Sequence, residues 1–168
     1  MNVTGPGVSV QVPVRNHLLD TEAASMAIHP KKMIALDHED LQVLSAHCQD
    51  AVIKVSDIHY FPSEKRLIIE MNRFLWENGT RQNIRVRSVL HFERVNKVAR
   101  QSIDPVKKSD ILSLLAIIFA PTDAPAGHID LVFSGDAVLR LAVECVEGQL
   151  TDLKAAWEAS SKPSHPSS

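Results

Sequence analysis

The sequence has a small net charge and few aromatic residues. Its 18 lysines and arginines nearly balance 20 aspartates and glutamates, which leaves a formal net charge of -2. Such a balance creates no global field that would draw the chain onto nucleic acid or an anionic membrane. Aromatic residues make up 5% of the chain, so platforms on which bases could stack are scarce. The composition therefore disfavours a nucleic-acid partner.

The sequence also has only two cysteines and no apolar stretch of membrane-spanning length. Cys48 and Cys145 are the two cysteines, and each lies in an apolar pattern far from the other. They are predicted to be reduced core thiols, with a disulfide as the alternative. The longest apolar stretch, Ile111 to Ala120, is too short to span a bilayer, and the N-terminus has no signal-peptide pattern. We therefore expect a cytoplasmic protein without a membrane partner.

Residues that break regular structure mark the two ends of the chain. Residues 1–31 lack sustained hydrophobic periodicity and are predicted to form a flexible N-terminal arm. An alternative is that the gene start is placed too early, since Met26 and Met33 lie close to the folded part. Residues 161–168 are rich in proline and serine and predict a flexible tail. A single globular domain is expected over residues 32–160.

A short helix and a hairpin are predicted at the start of this domain. An acidic first turn at Asp37 and Asp40 precedes apolar residues at helical spacing, which predicts a helix over about residues 38–48. Residues 51–61 are rich in β-forming types and lead into a proline turn at residues 62–65. This order of residue types predicts the first hairpin.

The second hairpin is the best-defined element of the sequence. Asn78-Gly79 predicts a type I′ turn, with Glu77 facing Thr80. Continuing that register places apolar residues of both strands on one face, including Leu67 opposite Leu90. The other face of the same hairpin then carries a row of basic residues: Arg66, Arg85, Arg87 and His91.

Further strands are predicted in the second half of the chain. Residues 95–103 are a weaker strand candidate. Residues 111–119 are predicted to form a buried strand, with a helix as the alternative because short apolar runs do not separate the two by periodicity. A three-residue loop then aligns the inward residues of the next two strands, so that Leu131 faces Leu139.

These elements predict a mostly β fold of the α+β class. We expect two packed antiparallel sheets of about seven strands, a short N-terminal helix and a C-terminal amphipathic helix. The last helix is predicted because Leu150, Leu153 and Trp157 lie at helical spacing. The order of elements resembles the pleckstrin-homology-like superfold. That resemblance implies that Trp157 packs on the core from the final helix.

Five stretches between Lys32 and Trp157 resemble a family of small alphaproteobacterial proteins catalogued only as a domain of unknown function. The stretches are residues 34–41, 90–95, 112–116, 124–127 and 143–145. The resemblance implies a bacterial setting but no chemistry. Neither an activity nor a cofactor follows from it.

The basic row on the second hairpin is the candidate anion- or partner-binding surface. It consists of Arg66, Arg85, Arg87 and His91. The alternative is a solvated face on which Glu70 and Glu93 neutralise part of the positive charge.

No catalytic residue, metal site or cofactor is predicted. The eight histidines are scattered, without the short spacing of metal ligands, and neither cysteine occurs in a Cys-x-x-Cys pair. The serines lack a nucleophile-elbow context, and no glycine-rich phosphate loop follows a strand.

Two functions fit these observations. The first is a non-catalytic module of the bacterial cytoplasm that binds a protein or peptide at an exposed strand edge or in a groove beside the final helix. The alternative is a small enzyme or a metabolite- or anion-binding protein, with a pocket built from separate strands. The sequence leaves the oligomeric state and the identity of any ligand undetermined.

Overall fold

Strands account for most of the computed structural model, which describes residues 31–77, 79–153 and 157–158. The described part of the chain has a single α-helix, α1, at His38–Cys48. The strands are β1 Lys32–Ala35, β2 Val52–Lys54, β3 Ile58–Phe61, β4 Arg66–Glu77, β5 Thr80–Phe92, β6 Val95–Gln101, β7 Ile111–Pro121, β8 Gly127–Phe133, β9 Val138–Val143, β10 Gly148–Asp152 and β11 Trp157–Glu158. The predicted mostly β class is confirmed.

Helix α1 begins and ends where the sequence pattern predicts. The Asp37 side chain accepts a hydrogen bond from the Asp40 amide at 2.8 Å, and the Asp40 carboxylate accepts one from the Leu36 amide at 3.0 Å. The first bond satisfies a backbone donor that a helix N-terminus otherwise leaves unpaired, and the second joins the residue before the N-cap to the first turn. The buried side of the helix consists of Leu41, Leu44 and Cys48.

The described strands form one connected antiparallel sheet instead of the two sheets expected. Its order is β1-β10-β5-β4-β2-β7-β8-β9-β6, with β3 also paired to β4 and β11 to β5. The short strand β2 makes the connection, because Val52 pairs with Asn72 of β4 on one side and with Ser113 of β7 on the other. The two-sheet arrangement predicted from the sequence is therefore not confirmed.

The predicted C-terminal helix is wrong. Residues 148–152 form β10, which lies between β1 and β5 and pairs Leu150 with both Met33 and Leu90. Leu150 is buried as part of a strand alternation, whereas Leu153 is 49% exposed. Trp157 belongs to β11 and pairs with Arg85. The likeness to the pleckstrin-homology-like superfold depended on that helix and is not confirmed.

The second hairpin keeps its predicted faces but changes register. Glu77 pairs with Thr80 as predicted, and Gly79 adopts the positive φ of +75° that the turn requires. An irregularity between Phe74 and Trp76 then shifts the pairing, so that Leu67 faces Phe92 instead of Leu90. Such a β-bulge inserts extra residues into one strand, and the hydrophobic pattern of the sequence does not predict it. Because the shift is an even number of residues, the same side chains still point inward.

Residues 111–121 form strand β7 as predicted, so the helix alternative for this segment is wrong. The strand is buried on one face only, because Leu115 is 46% and Ile118 is 52% exposed, so the expected full burial is wrong. In the β8–β9 hairpin, Leu131 faces Leu139 as predicted. The core consists of the inward residues of these strands together with the apolar side of α1, and includes Ile53, Leu67, Ile69, Phe92, Leu114, Ile129, Leu131 and Phe133.

Candidate functional site

The predicted basic surface lies on the outer face of β4 and β5, but most of its charge is already paired. Arg66 Nε donates to Glu93 Oε2 at 2.8 Å, and His91 Nε2 lies 3.6 Å from the same oxygen. Arg87 donates to Glu70 at 2.9 Å and to Asp57 at 3.1 Å. Carboxylates thus occupy the positions that an external anion would take.

Arg85 is the predicted surface residue without an ion pair in the described part of the chain. Its guanidinium carbon lies 5.1 Å from the centroid of the Phe74 ring, within the range of a cation–π contact. Its Nε atom is buried and has no hydrogen-bond partner among the described residues. The structure therefore places the four predicted residues on one face but joins them to neighbours rather than to one another.

A buried ionic cluster, which the sequence pattern did not predict, connects β4, β5 and β10. Arg73 is fully buried and binds Asp152 through two hydrogen bonds, Nε to Oδ1 at 3.0 Å and Nη2 to Oδ2 at 2.9 Å. Ser88 Oγ donates to Asp152 Oδ1 at 2.6 Å, and the Lys31 amide donates to Oδ2 at 2.9 Å. Both carboxylate oxygens are thus occupied by protein donors, which favours a structural role over a catalytic one.

The hydrogen bonds in this cluster hold Asp152 in its charged form. Burial alone raises the pKa of the Asp152 carboxyl, but the bonds from Arg73, Ser88 and the Lys31 amide outweigh burial and lower the pKa below its usual value. A carboxylate with this many donors is a poor general base, because protonation would break the bonds that it accepts.

Cys48 lies next to this cluster and is predicted to be unreactive in the native protein. Burial raises the pKa of its thiol to about 12, although the charge of Arg73 opposes the shift. The thiolate is the reactive form, so at pH 8 only about one thiol in 10,000 is ionised.

In a Cys145→Ser variant, we expect Ellman's reagent to modify Cys48 only as fast as the protein unfolds. A Cys48→Ser variant, with half-exposed Cys145 retained, should react faster under native conditions; equal rates would contradict the prediction.

Strand β6 offers a different surface, because it lies at one end of the sheet and pairs only with β9 among the described residues. Five of its positions are exposed: Asn96, Lys97, Ala99, Arg100 and Gln101. The other end strand, β1, has four residues, whereas β6 has seven. The Val95 amide donates to the Lys65 carbonyl at 2.9 Å, so the free edge covers residues 96–101 and still presents a longer row of backbone hydrogen-bonding groups than β1.

Two adjoining depressions lie beside β6 on the outer face of β8 and β9. The larger, of 320 Å³, is lined by Ala99, Arg100, Gln101, Asp130, Val138 and Arg140. The smaller, of 110 Å³, shares Ala99 and Arg140 with it and is completed by Lys97, His128 and Ala142. Alanines make the floor shallow, and the Arg140 guanidinium is held by Asp130 through bonds of 2.8 and 2.9 Å. We name Lys97, Ala99, Arg100 and these two depressions the β6 surface.

Two other depressions lie beside α1. One, of 280 Å³, lies along the contact between α1 and β7. At this contact Ser45 Oγ accepts a hydrogen bond from the Ile117 amide at 2.9 Å. Another of 280 Å³ lies between the end of α1 and the second hairpin, beside His47 and Trp76. Neither brings together a set of reactive groups. Across the described ranges, no three histidine, cysteine or acidic side chains are grouped as metal ligands require, and no helix is long and apolar enough to cross a membrane.

Residues 31–165 match the family described as Protein of unknown function (DUF2948), and this match spans more than half of the chain. The chain belongs to the DUF2948 family. The resemblance to a domain of unknown function is thereby confirmed, while the alphaproteobacterial origin stays a prediction. No curated protein and no solved structure is significantly similar to this DUF2948 chain. Its first thirty residues lie outside the family match.

The β6 surface was only partly predictable. The sequence indicated a strand near residues 95–103 and a possible exposed strand edge, but not which strand would be at an edge. Lys97 and Arg100 carried no signal of their own, since single basic residues occur throughout the chain. Their importance follows from the position of β6 at the end of the sheet.

Proposed function

We propose that this DUF2948 protein is a non-catalytic module that binds an extended protein segment along the free edge of β6. The proposal depends on one observation: β6 is a seven-residue strand at the end of the sheet, and among the described residues no other strand pairs with its outer edge. A segment added to such an edge extends the backbone hydrogen-bond ladder, and its side chains enter neighbouring depressions. The depression beside Ala99 and Val138 provides one place for such a side chain.

The described polar groups support binding more than catalysis. The Arg73–Asp152 cluster is saturated with internal hydrogen bonds, and the thiol of Cys48 is buried with a pKa of about 12. The metabolite- or anion-binding alternative has less support, because Arg66 and Arg87 already bind carboxylates. We also propose a location in the bacterial cytoplasm. Cys48 and Cys145 are both free, as thiols are in a reducing compartment.

A peptide-display selection on the immobilised full-length protein tests the proposed function. Selected peptides should shift the amide resonances of β6 in an NMR titration and leave those of β1 in place. Ala99→Phe fills the larger depression and should weaken these peptides by about tenfold, equivalent to ~1.4 kcal/mol. Val43→Phe is the control, because Val43 is 52% exposed but lies on α1, away from the β6 surface.

The selection can also contradict the proposal. Peptides that bind both phenylalanine variants as tightly as the parent protein would show that the β6 surface is not the site. A library that yields no peptide with affinity for the correctly folded protein would exclude an extended-peptide function. Thermal unfolding of each variant checks that the substitutions leave the fold intact.

A further inference from the structure

We infer that the segment bound along β6 is acidic, with two carboxylates three positions apart. This inference rests on the proposed function and adds the chemistry of the partner. It is carried by the unpaired positive charge of Lys97 and Arg100 on an uncovered strand edge.

Lys97 and Arg100 are the two cations of β6, and Arg100 differs from most of the described arginines. Every described arginine other than Arg85 and Arg100 forms an ion pair, and Arg85 lies over an aromatic ring. Neither Lys97 nor Arg100 has a carboxylate within ion-pair distance among the described residues. Strand β6 itself contains no acidic residue. The edge therefore has a net positive charge that the described chain does not neutralise.

The carboxylates around β6 are engaged elsewhere or lie at its ends. Asp130 binds Arg140, and Glu144 binds Lys65 at 2.6 Å. At the far end, the Asp136 carbonyl accepts a hydrogen bond from Gln101 at 3.1 Å. The carboxylates of an acidic segment would therefore contact Lys97 and Arg100, which lie between these flanking acids. The segment should end before Gln101.

A second copy of this chain is a poor occupant of the same edge. Antiparallel pairing about a two-fold axis between Val98 and Ala99 would place Lys97 directly opposite Arg100 of the other copy. Like charges opposite each other destabilise a strand pair, and lysine on an edge strand is a common protection against self-association. The bulge between Val95 and Lys97 further limits pairing near the start of β6. The charge that discourages self-pairing attracts an acidic segment.

The register of β6 defines the spacing of the two carboxylates. Lys97 faces Ala142 on the outer side, whereas Arg100 faces buried Leu139 on the other side of the sheet. Because alternate strand residues point to opposite faces, residues three positions apart in an antiparallel partner reach these two cations. The partner residue opposite Ala99 would lie above the larger depression, which suits a small apolar side chain. The expected pattern is acidic, apolar, any residue, acidic.

Two blocked peptides test this pattern on the full-length protein by fluorescence anisotropy and NMR. One has the sequence Thr-Glu-Val-Thr-Glu-Val-Thr, and the other replaces both glutamates by glutamine. Two exposed ion pairs should make the acidic peptide bind about 2–30-fold more tightly at low salt. Added salt should reduce the difference. Both peptides should shift β6 amide resonances, because the backbone ladder is common to them.

Charge-reversed variants separate a specific site from general attraction. Lys97→Glu combined with Arg100→Glu should abolish the preference for the acidic peptide and favour one with lysines in place of the glutamates. The control combines Lys32→Glu with Lys54→Glu, which changes the net charge equally at exposed positions on β1 and β2. This control should keep the preference. An equal loss in both double variants would show non-specific attraction and overturn the inference.

Other outcomes distinguish the inference from the proposed function. Equal affinity for the glutamate and glutamine peptides, with β6 resonances shifted by both, would overturn the acidic partner and leave the proposed function standing. Absence of β6 shifts with either peptide and with the display-selected peptides would overturn the proposed function as well. If a single-stranded oligonucleotide binds more tightly than the acidic peptide, the inference of a protein partner is overturned and a nucleic acid is the better candidate.

Discussion

Replacing Asp152 with alanine is expected to lower the free energy of unfolding by about 3–5 kcal/mol, because it leaves a buried guanidinium without its counter-charge. Arg73 is fully buried and is left with only weaker bonds to backbone carbonyls, including one to Phe74 at 3.2 Å. Ser88 and the Lys31 amide lose an acceptor at the same time. Urea denaturation followed by circular dichroism measures the change.

Asp130→Ala is the matched control for this prediction. Asp130 also binds an arginine through two hydrogen bonds, but the Arg140 side chain is 52% exposed. An exposed pair is expected to contribute less than about 1 kcal/mol. If Asp152→Ala does not fold, a double variant with Arg73→Met and Asp152→Leu should recover a cooperative transition, because it removes both buried charges. A loss at Asp152 as small as that at Asp130 would contradict the structural role of the cluster.

The contribution of Asp152 should also depend on pH. Its pKa is lower in the folded protein than in the unfolded chain, so the folded state binds fewer protons in acid. The stability that it contributes is therefore complete above the unfolded value of about 3.9 and is lost as the pH falls through the lowered pKa. The difference in unfolding free energy between the parent protein and Asp152→Ala should shrink below about pH 4.

Ile117→Ala is expected to lower the free energy of unfolding by about 2–5 kcal/mol, the usual cost of removing a buried aliphatic side chain. Ile117 is 3% exposed and packs in the core from β7. The substitution removes buried apolar surface and leaves a cavity that the tightly packed neighbours fill only in part. Its amide still donates to Ser45, so the measured change reports the side chain.

Its neighbour Ile118 is the same residue type and points the other way, with 52% exposure. Ile118→Ala should change the free energy of unfolding by less than about 0.5 kcal/mol, as surface substitutions usually do. Guanidinium denaturation of the two variants side by side compares identical chemistry on opposite faces of one strand. Similar losses would show that residues 111–121 do not alternate as a strand, and would favour the helix that the sequence left open.

Local patterns predicted the elements whose signal is confined to neighbouring residues. The capped helix at 38–48, the turn at Gly79 and the pairing of Leu131 with Leu139 follow from residues within one element or hairpin. The segment around Leu150 was predicted incorrectly, because three apolar residues at helical spacing also fit a strand with one inward leucine. Its neighbours β1 and β5 decide between the two, and both lie far away in the sequence.

The buried cluster and the β6 surface show why the sites were harder to predict. Arg73 continues the inward alternation of Leu67, Ile69 and Met71, so the pattern could have indicated a buried charge. Its partner Asp152 lies 79 residues away and has no local signal. The predicted basic row contained plausible residues, but sequence order concealed Asp57 and Glu93 as their partners.

Alternation and turn preferences act between near neighbours, so the amino-acid sequence was sufficient to predict the strands of the β4–β5 and β8–β9 hairpins and the inward side of each. The tertiary structure alone decided which strands pair, which edge is left uncovered and which charges find partners. Those outcomes depend on contacts between segments far apart in the chain. Lys97 and Arg100 thus became a candidate binding surface only when the fold placed β6 at the end of the sheet.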